Sequence, residues 1–298
     1  MAMAKWGRAA LAAALCLGAA PAGGAQAATP AANLFYERAL MTAADQACRL
    51  FAPDVAAALS AAKAQARGAA LRSGADAASL SGLEAQADAA GAAGCRSPGI
   101  AAAAAQVRAA FAGYAALSEM KFPGELSSWT ASRPAADGWR VVQRDRFGWD
   151  VMLFGVAGHA ADRPLIAAAS FADHAQPYGA RLVLRDAALT SGPYLDQREA
   201  DIAGRLPIDA RLPPRSGTRV FAAEATAPAG VLQGADMPGA VAFRFPAAAA
   251  DALAGLDPRE AVAVEFLFTG DGGETVRTAY VEVGDFAAAR AFQAVAQR

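Results

Sequence analysis

The chain is 298 residues long, carries a formal net charge of -1, and is 55% apolar but only 18% charged. Alanine makes up roughly thirty percent of it. This balance excludes a disordered chain and a basic nucleic-acid-binding protein, and the length allows one or two domains with a sizeable core. Only three of the cationic residues are lysines (Lys5, Lys63, Lys121). The excess of arginine and alanine reads as GC-rich genomic background. The arginines stand singly, often beside an acid as in Arg185-Asp186 and Arg259-Glu260, which predicts a solvated surface.

Residues 1–27 have the three parts of a secretory signal. Lys5 and Arg8 form the positive start, an apolar run extends from Ala9 to Ala20, and Ala25-Gln26-Ala27 is a small-residue cleavage site. Cleavage is expected after Ala27, giving a periplasmic or secreted chain with a net charge of about -3 once Lys5 and Arg8 are lost. The apolar run is shorter than the roughly 20 residues of a membrane-spanning helix, and no later stretch reaches that length without a charge or proline. A lipid anchor on Cys16 is disfavoured because Leu15, not a small residue, precedes it.

The remaining two cysteines, Cys48 and Cys95, make an even pair in an oxidising compartment, which predicts a disulfide. Neither a C-x-x-C spacing nor a nearby histidine suggests redox or metal chemistry.

From Asn33 to about Met120 the apolar residues recur at helical spacing. Met41, Ala44, Cys48 and Phe51 form the stripe of a first helix, and Val55, Leu59, Ala62 and Ala66 that of a second, opened by Pro53. A third helix is expected over about 76–90, with Leu80, Leu83 and Ala87 on one side. A fourth opens at Ser97-Pro98, carries Ile100, Ala104, Val107, Phe111 and Tyr114, and stops by Pro123-Gly124. Alanine faces bury little apolar area, so such a bundle benefits from a covalent staple.

Beyond Trp129 the period becomes two. Strands with one buried face are expected at 241–245 and 262–268, and further strands at 139–144, 150–156, 165–171, 181–185, 218–224 and 275–283. A short helix is expected over 246–254, a hairpin turn at Asp271-Gly272-Gly273-Glu274, and a last helix capped by Asp285. The predicted fold class is therefore α+β: a signal peptide (1–27), a disulfide-stapled helical module (28–122), and a mostly antiparallel β-sandwich-like domain with a C-terminal helix (123–298). Residues 189–217, rich in proline and turn residues, form a loop long enough to be either functional or mobile.

Candidate chemistry is sparse. The two histidines, His159 and His174, with Asp162 and Asp173, form a polar cluster if the strand between them lies in a hairpin, but no metal-ligand spacing accompanies them and solvated loop positions are the simpler reading. No nucleophile elbow occurs, and Gly270 to Gly273 join two strands, leaving no helix N-terminus for a phosphate. No metal or cofactor is expected. No carboxylate stands in an evidently apolar setting, and Glu265, alternating within a strand, is expected to face solvent. Trp129, Trp139 and Trp149, interleaved with Arg133, Arg140, Arg144 and Arg146, offer a candidate surface for a glycan or peptide, with core packing as the alternative.

From Ala240 to Ala296 the order is strand, alanine-rich helix, strand, D-G-G-E turn, strand, then a helix entered through Gly284-Asp285-Phe286. This ending resembles that of the exported β-sandwich proteins of the invasion-associated locus B family. The chain departs from them in its helical first half and in lacking cysteines in the β half. The resemblance implies an α-proteobacterial periplasmic protein and transfers no functional residue. Two functions follow as expectations: a non-catalytic periplasmic protein binding an envelope protein or glycan, or a hydrolase or metal-dependent enzyme built on His159, Asp162, Asp173 and His174.

Overall fold

The computed structural model describes residues 29–136, 138–158, 163–195, 206–232, 237–270 and 272–295. Four helices come first: α1 (Pro30–Cys48), α2 (Pro53–Arg72), α3 (Ala77–Ala93) and α4 (Pro98–Ala116). Their starts follow from local chemistry. Proline occupies the first turn of α1, α2 and α4, where its missing N–H costs nothing. The Thr29 hydroxyl accepts from the Ala32 N–H, and the Asp76 carboxylate accepts from the Ser79 N–H at 2.7 Å. Helix α1 ends where Arg49 turns left-handed (φ 52°) and donates its N–H to the Asp45 carbonyl.

The buried faces are the expected ones, with Val55, Leu59, Leu80, Ile100 and Phe111 turned inward. They form three small clusters rather than one core, as small alanine side chains dictate. Cys48 and Cys95 are bonded, with Cα atoms 5.6 Å apart, tying the end of α1 to the approach of α4.

Eleven strands follow among the described residues. A seven-stranded sheet has the order β1 (Glu119–Pro123), β2 (Ser128–Ala136), β3 (Trp139–Phe147), β4 (Asp150–Ala157), β5 (Leu165–Ser170), β9 (Val241–Phe245), β8 (Ala225–Pro228). A four-stranded sheet has the order β11 (Gly273–Glu282), β10 (Ala261–Gly270), β6 (Gly179–Arg185), β7 (Thr218–Ala222). Every pairing is antiparallel. The sheets enclose the main core, where Trp129, Phe154 and Phe243 meet Leu182, Val264 and Phe266. Helix α5 (Ala247–Ala254) carries the chain from β9 to β10, and α6 (Phe286–Ala294) packs Phe286 and Phe292 into the same core.

The fourth helix ends at Ala116, and Glu119 already pairs with Ser132, so residues 119–122 belong to the sheet rather than to the helical run expected there. Asp285 stands at the N-cap of α6 but does not cap it. Its carboxylate instead takes two hydrogen bonds from Arg72, at 2.9 and 3.0 Å, joining α6 to α2. At the same junction Arg133 of β2 donates through Nη1 to the Tyr114, Ala115 and Leu117 carbonyls at the end of α4, and through Nε to the Phe292 carbonyl. The Tyr114 carbonyl also accepts from the Leu117 N–H at 3.3 Å, and a fixed cation at a helix C-terminus is favourable.

Candidate functional site

Strand β10 departs from the expectation of one buried face. Val262, Val264, Phe266 and Phe268 face the sandwich core, while Ala261, Ala263, Glu265 and Leu267 on the opposite face are also buried. The cover includes residues 206–217, which run across the outer face of the four-stranded sheet as two short 3-10 turns. This is the second described part of the long 189–217 loop. Residues 196–205 lie outside the described residues.

Two arginine contacts pin this strap. Arg211, 1% exposed, donates to the Leu206 carbonyl from Nε and Nη2, and from Nη1 to the Arg259 carbonyl and to Glu125 at 3.1 Å. Arg215 reaches down to pair with Glu265.

Between strap and sheet lies a cavity of about 420 Å³. Its floor is two neighbouring cross-strand rows: Val183, Ala263 and Tyr280, then Arg181, Glu265 and Thr278, of which all but Arg181 line the cavity. Its roof and rim include Tyr194, Asp209, Pro213 and Arg215.

Glu265 is 3% exposed, which corrects the expectation that it faces solvent. A carboxylate at this depth needs partners, and each oxygen has one: Oε1 pairs with Arg215 and Oε2 accepts from Arg181 Nε at 3.1 Å. Burial pushes the Tyr280 phenol up from its ordinary value, helped by the negative charges of Asp209 and Glu265 and opposed by Arg215, so the hydroxyl stays protonated at neutral pH. The pocket thus offers a neutral phenol, a threonine hydroxyl, a carboxylate on the rim and a guanidinium, set among tyrosine and proline rings.

Other buried acids also contradict the expectation that none occupies an apolar setting. Glu260, fully buried, is paired with Arg185 and accepts from the Asp257 N–H at 2.8 Å, so Arg185 and Glu260 are core groups and not members of a solvated surface. Glu282 takes the N–H groups of Glu125, Leu126 and Ser127. Asp145, on the inner row of β3 with Val141 and Gln143, is pushed up to about 6 by desolvation, against a backbone hydrogen bond from Arg146.

The residues singled out from sequence are dispersed. Trp129 is in the inter-sheet core, its Nε1 donating to the Val283 carbonyl at 2.9 Å. Trp139 belongs to a separate cluster on the other face of the seven-stranded sheet and donates to Leu232. Only Trp149, 92% exposed, is open to solvent. The three therefore do not make one surface. Arg140 donates to the Gly158 carbonyl, and Arg144 is exposed on β3.

Of the polar cluster, His159 and Asp162 lie outside the described residues. His174 is exposed in a turn with φ 59°, and Asp173 is held down to about 2 by hydrogen bonds from Arg277. Asp173 is thus committed to an ion pair. Among the described residues no group of three or more histidine, cysteine or acidic side chains is arranged to hold a metal, and no helix is long and apolar enough to cross a membrane.

The strap pocket escaped sequence reading because its parts come from four separate segments. One signal was available: the unbroken apolar run around Glu265, Val-Ala-Val-Glu-Phe-Leu-Phe, marks a strand covered on both faces, where a lone acid must be paired. No family model, curated protein or solved structure matches this chain.

Proposed function

We propose that the protein is a non-catalytic, exported binding protein of the cell envelope, and that the strap pocket takes a saccharide. The observation that carries this reading is the lining. Tyr194 and Tyr280 supply aromatic rings, while Asp209, Thr278 and Arg215 supply hydrogen-bonding groups of both polarities around a cavity of about 420 Å³. Sugars present that same mixture of apolar C–H faces and hydroxyl groups.

Binding is favoured over turnover because both Glu265 oxygens are occupied by guanidinium groups, and the described lining has no histidine or cysteine to act as base or nucleophile. The exported setting rests on the signal-like segment 1–27 and the resemblance of the C-terminal part to the invasion-associated locus B family. The Cys48–Cys95 disulfide suits such an oxidising compartment.

Calorimetric titration with solubilised peptidoglycan fragments and with neutral oligosaccharides tests the reading. Saturable binding that Tyr280→Ala and Asp209→Ala each weaken about tenfold is the expected result. Absence of saccharide binding, or binding indifferent to both substitutions, overturns it, and release of a cleaved product overturns the non-catalytic part.

A further inference from the structure

The charges around the strap pocket do not all cancel. Glu265, on the floor, takes Arg215 on one carboxylate oxygen and Arg181 on the other, and Arg181 also lies 3.5 Å from Glu274. Two guanidinium groups therefore balance two carboxylates. Asp209 is left over. It lines the cavity from the first of the two short turns of the strap, and it is half-buried there. Its carboxylate forms no hydrogen bond or ion pair among the described residues.

A carboxylate held at a cavity without a donor is complemented by a cation. Arg215, the cation of the lining, does not fill that role, because it is engaged by Glu265 and its side chain is largely exposed. The sign of the local field agrees. Burial is the main cause of the raised pKa of the Tyr280 phenol, and the charges of Asp209 and Glu265 add to it against Arg215, so Asp209 acts on the same space that Tyr280 lines.

The groups around this carboxylate narrow the kind of cation. Tyr194 and Tyr280 are aromatic, and aromatic rings beside a carboxylate favour an ammonium group over a neutral one. Thr278 adds a hydroxyl for a second polar contact. A sugar carrying a carboxylate or phosphate would instead bring a like charge to Asp209, which disfavours it. An acetylated sugar nitrogen offers one neutral N–H, whereas an ammonium group offers three donors and a full charge.

We propose that the sugar taken by the strap pocket is an amino sugar whose nitrogen is not acetylated, its ammonium group pairing with Asp209 beside Tyr280. The proposal rests on the saccharide reading of this pocket and adds the charge that its ligand carries.

Calorimetric titration of the purified full chain with glucosamine trimer, N-acetylglucosamine trimer and trilysine tests it, in buffer acidic enough to keep the sugar amines protonated. The glucosamine trimer is expected to bind at least about tenfold more tightly than its acetylated counterpart, and added salt should shrink that preference. Trilysine, which brings ammonium groups without a sugar ring, should bind at least about tenfold more weakly than the glucosamine trimer. Asp209→Asn keeps the shape and hydrogen-bonding capacity but removes the charge. It should weaken the glucosamine trimer about tenfold and the acetylated trimer about twofold or less. The salt dependence is read on the unmodified chain, so the test does not depend on the variant folding.

Equal binding of the two trimers, each still weakened by Tyr280→Ala, overturns the amine assignment and leaves the saccharide reading standing. So does binding of peptidoglycan fragments but of neither trimer. A glucosamine preference that survives both Asp209→Asn and added salt, or trilysine bound as tightly as the glucosamine trimer, also overturns the assignment. Absence of binding by any saccharide overturns both readings.

Discussion

Glycine at position 91 separates helix propensity from helix packing. A Cβ placed there would lie 2.7 Å from the Ala43 Cβ, 2.7 Å from the Ala44 nitrogen and 2.9 Å from the Leu40 carbonyl oxygen. Two of these three atoms are α1 backbone, so α3 must back away and no side-chain rotation relieves the contact. Replacing a mid-helix glycine by alanine gains roughly 1 kcal/mol in propensity, whereas forcing a methyl into a packed contact costs roughly 1–3 kcal/mol. Because the clash is with backbone, the upper part of that range applies, and Gly91→Ala should be destabilising by about 1–2 kcal/mol net.

Gly82 in α3 and Gly113 in α4 are internal controls, since a Cβ at either meets nothing within 4 Å. Gly82→Ala and Gly113→Ala should each stabilise by roughly 0.5–1 kcal/mol. Thermal unfolding followed by far-UV circular dichroism reads the contrast, at about 2–4 °C per kcal/mol for a chain of this size. If Gly91→Ala raises the midpoint as its controls do, the close approach of α1 and α3 is refuted.

Other perturbations probe the staple, the buried charges and the titration of the sheet. The disulfide closes a loop of about 48 residues, so Cys48→Ser with Cys95→Ser should cost roughly 4 kcal/mol in the chain-entropy model, measured as a lower urea midpoint; an unchanged midpoint would count against it. Glu260→Gln leaves Arg185 buried without a counter-charge and should cost about 3–5 kcal/mol, while Glu260→Gln combined with Arg185→Met should recover much of that loss. Equal losses in the single and double variants would show that the pair is not coupled. Asp145 binds its proton more tightly when folded, with a pKa of about 6, than when unfolded, so its contribution to stability is largest below the ordinary carboxylate range and is lost as pH rises through 6. Asp145→Asn should therefore stabilise the protein more at pH 7 than near pH 4, as read from paired melting curves, and an equal effect at both would exclude this titration.

The helical half was legible because its 3.6-residue period and its first-turn prolines are local signals. Pro53 and Pro98 open helices where their chemistry predicts, and Leu80 and Ala87 fall on the buried side of α3. The central strands were legible by alternation, from Val241–Phe245 and Val262–Phe268 outward. Three strands were not anticipated: β2 (Ser128–Ala136), beside the edge, and the two edge strands β1 and β8. In β8 the sequence Ala-Thr-Ala-Pro is exposed at every position, and in β1 the sequence Glu-Met-Lys-Phe-Pro fully buries only Phe122. The strap was recognisable as a long loop, but which sheet face it crosses is decided by Arg211 and Arg215 finding partners far along the chain.

The arginines carry the wider lesson. Neighbours in a strand point to opposite faces, so an arginine followed by an acid does not pair with it. Arg185 ignores Asp186 and meets Glu260 across the sheet, and Arg181 meets Glu265. Arg72 joins α2 to α6, and Arg211 joins the strap to the loop between β1 and β2. Whatever genomic bias supplies these residues, the fold uses a property lysine lacks: a planar fork whose nitrogens serve several acceptors in different directions at once. Arg133 shows this most clearly, since it meets three carbonyls at the end of α4 through one nitrogen and the Phe292 carbonyl through another, with its Cζ 4.1 Å from the Phe292 ring centre. A lysine ammonium has three donors radiating from one atom and would leave one side of that junction, the helical module or the sandwich, without its partner.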